Sequence, residues 1–323
     1  MEKNQFASKK VAIIGGGISG LYLAWKLADA GHRVKVFEKK KTLGKKECSG
    51  LVSERVFNFI PQARKLIKTQ IDFVLVHAPR KTLKINYKEK FYILDHEDLD
   101  REVALLAKAA GVEIVLGQDI NELPAPADFD RVIGCDGYNS IVRRKLGLPS
   151  PTFRLGIQGF CAPPRGAQPV HPAGVHTWVV PNGFIWEIPR VDRIEYGIMA
   201  DPADARRIFE EFCRRKNLTI EDVRSSIVPQ GFTIPKNSAI TLCGDAVGLT
   251  KPWSGGGIAW GLMAADMLLS TFPDFLAYRK KARKFFLPKI IFSKASTRFG
   301  YFMALKLPWL LPARFTIRGD FLL

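Results

Sequence analysis

The stretch "VAIIGGGISGLYLAWKLADAGHRVKVFEKK", residues 11–40, decides the fold. It opens on an apolar run, as a strand buried on both faces requires, and a glycine turn follows. A helix is expected from about Ser19 to Ala30, and a second strand then closes on Glu38. Strand, turn, helix and strand in that order predict a βαβ unit. Within the turn, Gly15 permits the tight bend, Gly17 lets the backbone approach a diphosphate, and Gly20 lets helix pack on strand. Free N–H groups and the helix dipole, with Ser19 in the first turn, then face the phosphates. Glu38, eighteen residues beyond Gly20, can accept hydrogen bonds from ribose hydroxyls, with Lys39 beside it. That carboxylate would repel a 2′-phosphate, which leaves NAD or FAD.

Two later segments repeat the pattern of a strand ending in an acid. After a helix from about Asp98 to Ala110, "FDRVIGCDGYNSIVRRKLG" (129–147) gives a strand ending near Asp136-Gly137 and then a basic helix. "SAITLCGDAVG" (238–248) gives a strand that delivers Gly244 and Asp245, and "TKPWSGGGI" (250–258) starts another helix. Strand ends of a parallel sheet face one crevice, so three turns can converge on one extended cofactor. NAD would not need the third.

This combination resembles the flavoprotein family of para-hydroxybenzoate hydroxylase and, more closely, the geranylgeranyl reductases. The resemblance implies that Asp245 binds the ribityl chain of FAD and that Gly255, Gly256 and Gly257, ahead of Ile258, bring backbone N–H groups to the flavin ring. Charge developing on a reduced flavin would be stabilised by such a helix start, for which Ser254 is a cap. "GKKECSGLVS" (44–53) is similar to the reductases' cysteine segment and places Cys48, Ser49 and Gly50 beside the flavin; "PWSGGGI" matches their proline and glycine turn at Pro252. "FIWEIPRVDRIEYGIM" (184–199) resembles their aromatic strand and turn, with Phe184, Trp186 and Pro189 at matching places. Together these segments span roughly residues 10–275.

The chain also departs from that pattern. Ile188 stands where an aromatic is usual, Met199 replaces the second glycine of a Gly-x-Gly, and His96 replaces an arginine. The loss of that cation weakens phosphate or flavin contact, leaving a neutral imidazole that donates one hydrogen bond. Cys48 is the candidate for contacting substrate or relaying a proton, against the alternative of a packed neutral thiol. Phe184, Trp186 and Trp253 are candidate substrate contacts; Trp186 could equally pack a half-buried strand.

The remaining sequence bounds these readings. The chain has 323 residues, 47% apolar, enough for a substantial core. Five scattered cysteines without a CxxC pair predict neither a metal site nor a disulfide framework, and a reducing compartment is expected. No signal peptide or membrane-spanning run is evident, so a cytoplasmic protein is expected, at most peripheral on the inner face of the cell membrane. The net charge of +18 calls for an anionic partner. Between residues 279 and 318 lie eleven Lys or Arg and no acid, interleaved with aromatics, including Phe292, Phe299, Phe302 and Trp309. That pattern suits an anionic membrane surface, or a helical cap whose charges stay solvated; nucleic acid is not expected, for want of a recognition module.

The fold class expected is α/β. A Rossmann-like FAD-binding domain (8–75, 95–150 and 235–275) is interleaved with a mostly antiparallel substrate domain (76–94 and 151–234), and a short helical, basic aromatic region (276–323) follows. The activity expected is FAD-dependent reduction of carbon–carbon double bonds in a prenyl lipid or prenyl diphosphate, with NAD(P)H or ferredoxin as electron donor. The alternatives are an aromatic-type flavin monooxygenase and a non-catalytic peripheral membrane protein.

Overall fold

The computed structural model describes residues 7–44, 48–162 and 174–317. In chain order, β1 (Lys10–Ile14), α1 (Ile18–Asp29) and β2 (Arg33–Glu38) are followed by β3 (Leu51–Ser53), α2 (Val56–Phe59), β4 (Thr69–Ala78) and β5 (Lys81–Ile93). Next come α3 (His96–Ala109), β6 (Glu113–Leu116), β7 (Arg131–Gly134) and α4 (Ile141–Lys145). Four strands, β8 (Thr152–Cys161), β9 (Gly174–Val180), β10 (Gly183–Pro189) and β11 (Ile194–Ala200), precede α5 (Ala205–Arg215) and β12 (Glu221–Gln230). β13 (Ile240–Leu242), α6 (Ile258–Leu269), α7 (Phe275–Lys306) and β14 (Arg314–Ile317) complete the described chain.

One sheet is parallel, in the order β13-β7-β1-β2-β6. β1 lies at its centre, and Val11, Ala12 and Ile13 are wholly buried because elements cover both faces. α1 packs between α3 and α6 on one side of this sheet. The second sheet runs β12-β8-β11-β10-β9-β4-β5-β14, with β3 also on β5. It is antiparallel except where β9 meets β4 and β14 meets β5. Alternation along β10 sends Ile185 to the back, beneath Ile208, Phe209 and Phe212 of α5, and Trp186 to the front. The front faces the carboxyl ends of the parallel strands.

Three details differ from the sequence reading. β4 begins at Thr69 within the second sheet, so the division expected at 75/76 falls inside a strand, and β3 also pairs there. The C-terminal region, expected only as short and helical, is mostly one helix of 32 residues that runs through Pro288. Proline removes the hydrogen bond to the Lys284 carbonyl, but both residues are exposed, so water can satisfy that group. Beyond it, β14 adds to the second sheet parallel to β5.

Helix α7 is anchored by Phe275, Tyr278, Ala282, Phe286 and Ile290, all buried. Phe286 meets Trp260 at 5.5 Å between ring centroids. Phe286→Ala should therefore cost about 3–5 kcal/mol of stability, whereas Phe302→Ala, on the exposed side, should change it by less than about 0.5 kcal/mol. Urea denaturation midpoints of the two variants check this; equal losses would contradict the assigned packing.

Candidate active site

The glycine turn after β1 is shaped by its neighbours. Gly15 has φ +106°, and a side chain there would collide with the Cys135 carbonyl at the end of β7. A Cβ on Gly20 would collide with the Gly15 carbonyl, so the helix lies directly on the turn. A Cβ on Gly17 would meet nothing within 4 Å, so that backbone borders open space at the start of α1. Glu38 folds back over the turn, accepting hydrogen bonds from the N–H groups of Gly16 at 2.6 Å and Lys40 at 2.9 Å. Each carboxylate oxygen keeps capacity for a further donor.

The second and third turns arrive beside the first. Asp136 accepts the Ile141 N–H at 2.6 Å through Oδ2, while Oδ1 is buried without a hydrogen-bond partner. Burial pushes this carboxyl up, against hydrogen bonds from Ser140, Ile141 and Val142. Asp245 sits in a 3-10 turn, Gly244–Ala246, whose Gly244 has φ +65° and packs against Ser19. A Cβ on Gly257 would lie 2.9 Å from Asp245 Oδ1, so this carboxylate and the glycine turn before α6 share one site. The Lys251 N–H donates to the Gly256 carbonyl at 3.1 Å, and the Lys251 carbonyl accepts from the Gly255 N–H at 2.8 Å, which closes that turn.

All three turns line one cavity of about 1100 Å³. Gly15, Gly17, Ser19, Glu38, Lys39, Cys48, Ser49, His96, Asp136, Gly137, Asp245, Gly255, Gly256, Gly257 and Ile258 stand on its wall, as do Trp186 and Trp253. Gly20, Gly50, Gly244 and Pro252 lie behind the wall, where they shape the turns, and Phe184 packs on Trp186 at 5.9 Å. The far compartment is apolar, formed by Ile71, Val74, Ile85, Phe91, Trp186 and Met199.

Several contributors were not anticipated. Trp186 donates its indole N–H to the fully buried Glu195 at 2.8 Å, and Glu195 also pairs with Arg190. Arg190 donates in turn to the Ser49 carbonyl, tying the substrate sheet to the Cys48 segment. Lys251, nearly buried, brings a cation to the wall near the glycine turn. An arginine just after β10 and a glutamate at the start of β11 carry no local signature of such pairing; the lysine inside "TKPWSGGGI" is a visible signal.

Cys48 accepts the Gly50 N–H at 3.4 Å. His96 and Asp100, one helical turn apart on α3, face the same site, with 3.4 Å between Nε2 and Oδ1. Burial alone would lower the His96 pKa, but Asp100 and Cys48 outweigh it and push it up to about 10. Where the sequence pointed to a neutral imidazole donating one hydrogen bond, Asp100 one turn away favours the charged ring.

Comparison with known proteins fits this geometry. A profile described as an NAD(P)-binding Rossmann-like domain matches residues 13–55. The digeranylgeranylglycerophospholipid reductase of Methanoculleus marisnigri is 24% identical over 288 residues, covering 77% of this chain and 72% of that one. Digeranylgeranylglycerophospholipid reductase 2 of Methanopyrus kandleri is 24% identical over 298 residues, covering 78% and 74%. A crystal structure of a geranylgeranyl bacteriochlorophyll reductase-like protein from Thermoplasma acidophilum superposes with a TM-score of 0.77 at 18% identity, covering 90% of this chain and 87% of the other. The chain is therefore similar in sequence to digeranylgeranylglycerophospholipid reductases and in fold to a geranylgeranyl bacteriochlorophyll reductase-like protein. The residues present fit FAD as cofactor. Open space borders Gly17, and an orphaned carboxylate oxygen on Asp136 and a carboxylate on Asp245 face the same cavity.

The charged His96 gives a pH dependence of known sign. Its raised pKa contributes stability that is complete below the ordinary histidine value of 6.5 and is lost as pH rises through about 10. His96→Asn, which strands Asp100, should cost about 3 kcal/mol at low pH, and the deficit should shrink across that window. Denaturant midpoints of both proteins across the range check this; a deficit that does not change with pH would mean a neutral histidine.

Proposed function

We propose that this flavoprotein saturates carbon–carbon double bonds in a prenyl chain of the geranylgeranyl type carried on a lipid. The observation that carries the reading is the continuity of the cavity, from three polar turns into an apolar compartment beside Gly255–Gly257. The names of its relatives support the same substrate class. The cofactor is FAD. When bound, reduced FAD supplies a hydride for one alkene carbon.

The chain's own residues do the rest. Gly15, Gly17 and the start of α1 would hold the diphosphate, Glu38 the adenosine ribose, and Asp245 the ribityl hydroxyls. N–H groups around Gly255–Gly257, with the Lys251 cation nearby, would stabilise negative charge at the ring. The apolar wall orients the prenyl chain and keeps water away. Cys48 Sγ–H would give the second alkene carbon its proton, leaving a thiolate beside the Gly50 N–H and the His96 imidazolium. Proton return to Sγ can then come from His96 or from solvent.

Electrons must come from a separate redox donor. The chain's dinucleotide fingerprint is occupied by FAD in this reading, so NADPH, NADH or ferredoxin would reduce the flavin in a transient encounter. Cationic Lys39, Lys40 and Arg144 on the wall suit a phosphate-bearing substrate, and a prenyl diphosphate is the second one to try.

Incubating the FAD-loaded, reduced protein with digeranylgeranyl phospholipid or geranylgeranyl diphosphate should give products heavier by two hydrogens per double bond, read by mass spectrometry. Cys48→Ala should slow this by about 10²-fold or more if Sγ is the proton donor. No mass gain with either substrate would overturn the reading, and substrate-stimulated oxygen uptake with a hydroxylated product would assign a monooxygenase instead.

A further inference from the structure

We infer that the outer face of α7, with the Trp309–Leu310 turn beyond it, docks on an anionic lipid bilayer and places the cavity against the membrane. The docking surface stands on its own geometry; only its link to lipid loading rests on the prenyl-lipid reading.

Six of the twelve large apolar residues exposed among the described residues fall in one short stretch: Ile291, Phe292, Phe299, Phe302, Trp309 and Leu310. At about 100° per residue, the first four occupy an arc of roughly 100° on the helix, opposite the buried stripe of Phe275, Phe286 and Ile290. Their exposures, from 53% to 68%, exclude a role in the core. The preceding turns of the same outer face carry Lys280, Lys281 and Lys284, all exposed, and Arg298 and Lys306 are exposed on the apolar half. From Phe275 to Ile317 the sequence has no acidic residue.

Charge selects the occupant. Two copies of this chain meeting through the face would oppose two wholly basic helices, which repel. A nucleic acid would satisfy the lysines but would leave the bulky apolar side chains without a partner. An anionic bilayer satisfies both, with aromatic and aliphatic groups below the headgroups and cationic heads among them. No helix among the described residues is long and apolar enough to cross a membrane, so α7 would lie in the interface plane.

The opposite flank gives the surface its consequence. Ser296 and Thr297, between Phe292 and Phe299, line the cavity. A prenyl tail leaving the bilayer therefore has one helix, roughly 10 Å thick, between it and the cavity.

The test is flotation of the full-length, FAD-loaded protein with phosphatidylcholine vesicles, with and without phosphatidylglycerol. The protein should partition onto the anionic vesicles, less so at high salt. The combined variant Ile291→Asp, Phe299→Asp and Phe302→Asp should reduce partitioning by about tenfold or more with bound flavin and melting temperature unchanged. Replacing Lys280, Lys281 and Lys284 by Gln should reduce the preference for anionic over neutral vesicles. Equal partitioning of the parent and apolar variants would overturn the inference. So would a parent dimer, seen in sedimentation velocity, that the aspartates split into monomers. Turnover of detergent-dispersed substrate reads the reductase function separately, because vesicle binding is measured without it.

Discussion

The adjacency of three strand ends governs this molecule. β13, β7 and β1 are neighbours in one parallel sheet although they are separated by about 110 residues of chain at each step. Each releases its chain at the same edge through a glycine with positive φ: Gly15, Gly137 and Gly244. Glycine takes up such positive φ values without the steric cost that a Cβ adds. The bends bring the open start of α1, Asp136 and Asp245 onto one crevice wall.

Electrostatics within the crevice are graded from one end to the other. At one end Glu38 accepts the Gly16 and Lys40 N–H groups beside the glycine turn. Toward the substrate end, cations dominate: Lys251 near the glycine turn and the His96 imidazolium beside Cys48. In the proposed reaction, negative charge developing at either place would be met by a nearby cation. Trp186, held by Glu195 and Arg190, presents a wall whose orientation is set by a buried ion pair rather than by packing alone.

Much of this was legible in the chain because it is local. An apolar run, a glycine turn and a terminal acid are contiguous, so α1 was placed within about a residue and the turns holding Asp136 and Asp245 were found. What could not be read depends on contacts between distant residues. Nothing near residue 314 announces pairing with Lys84, and nothing near Ser49 announces Arg190. Pro288 sits inside α7 because its lost hydrogen bond falls on the exposed side of the helix. His96 reads as a weakened site until Asp100, four residues on, is recognised as its counter-charge. That spacing, one helical turn, is itself visible in the sequence.

The central claim is that these three turns grip a single FAD, with Asp245 holding part of it. The most direct measurement is titration of the flavin-free protein with FAD, followed by quenching of flavin fluorescence, for the parent chain and for Asp245→Ala. The account predicts saturation at one FAD per chain and an affinity at least about tenfold weaker in the variant, as expected for loss of charge-assisted hydrogen bonds. A parent chain that binds no flavin, or a variant that binds it as tightly, would contradict it.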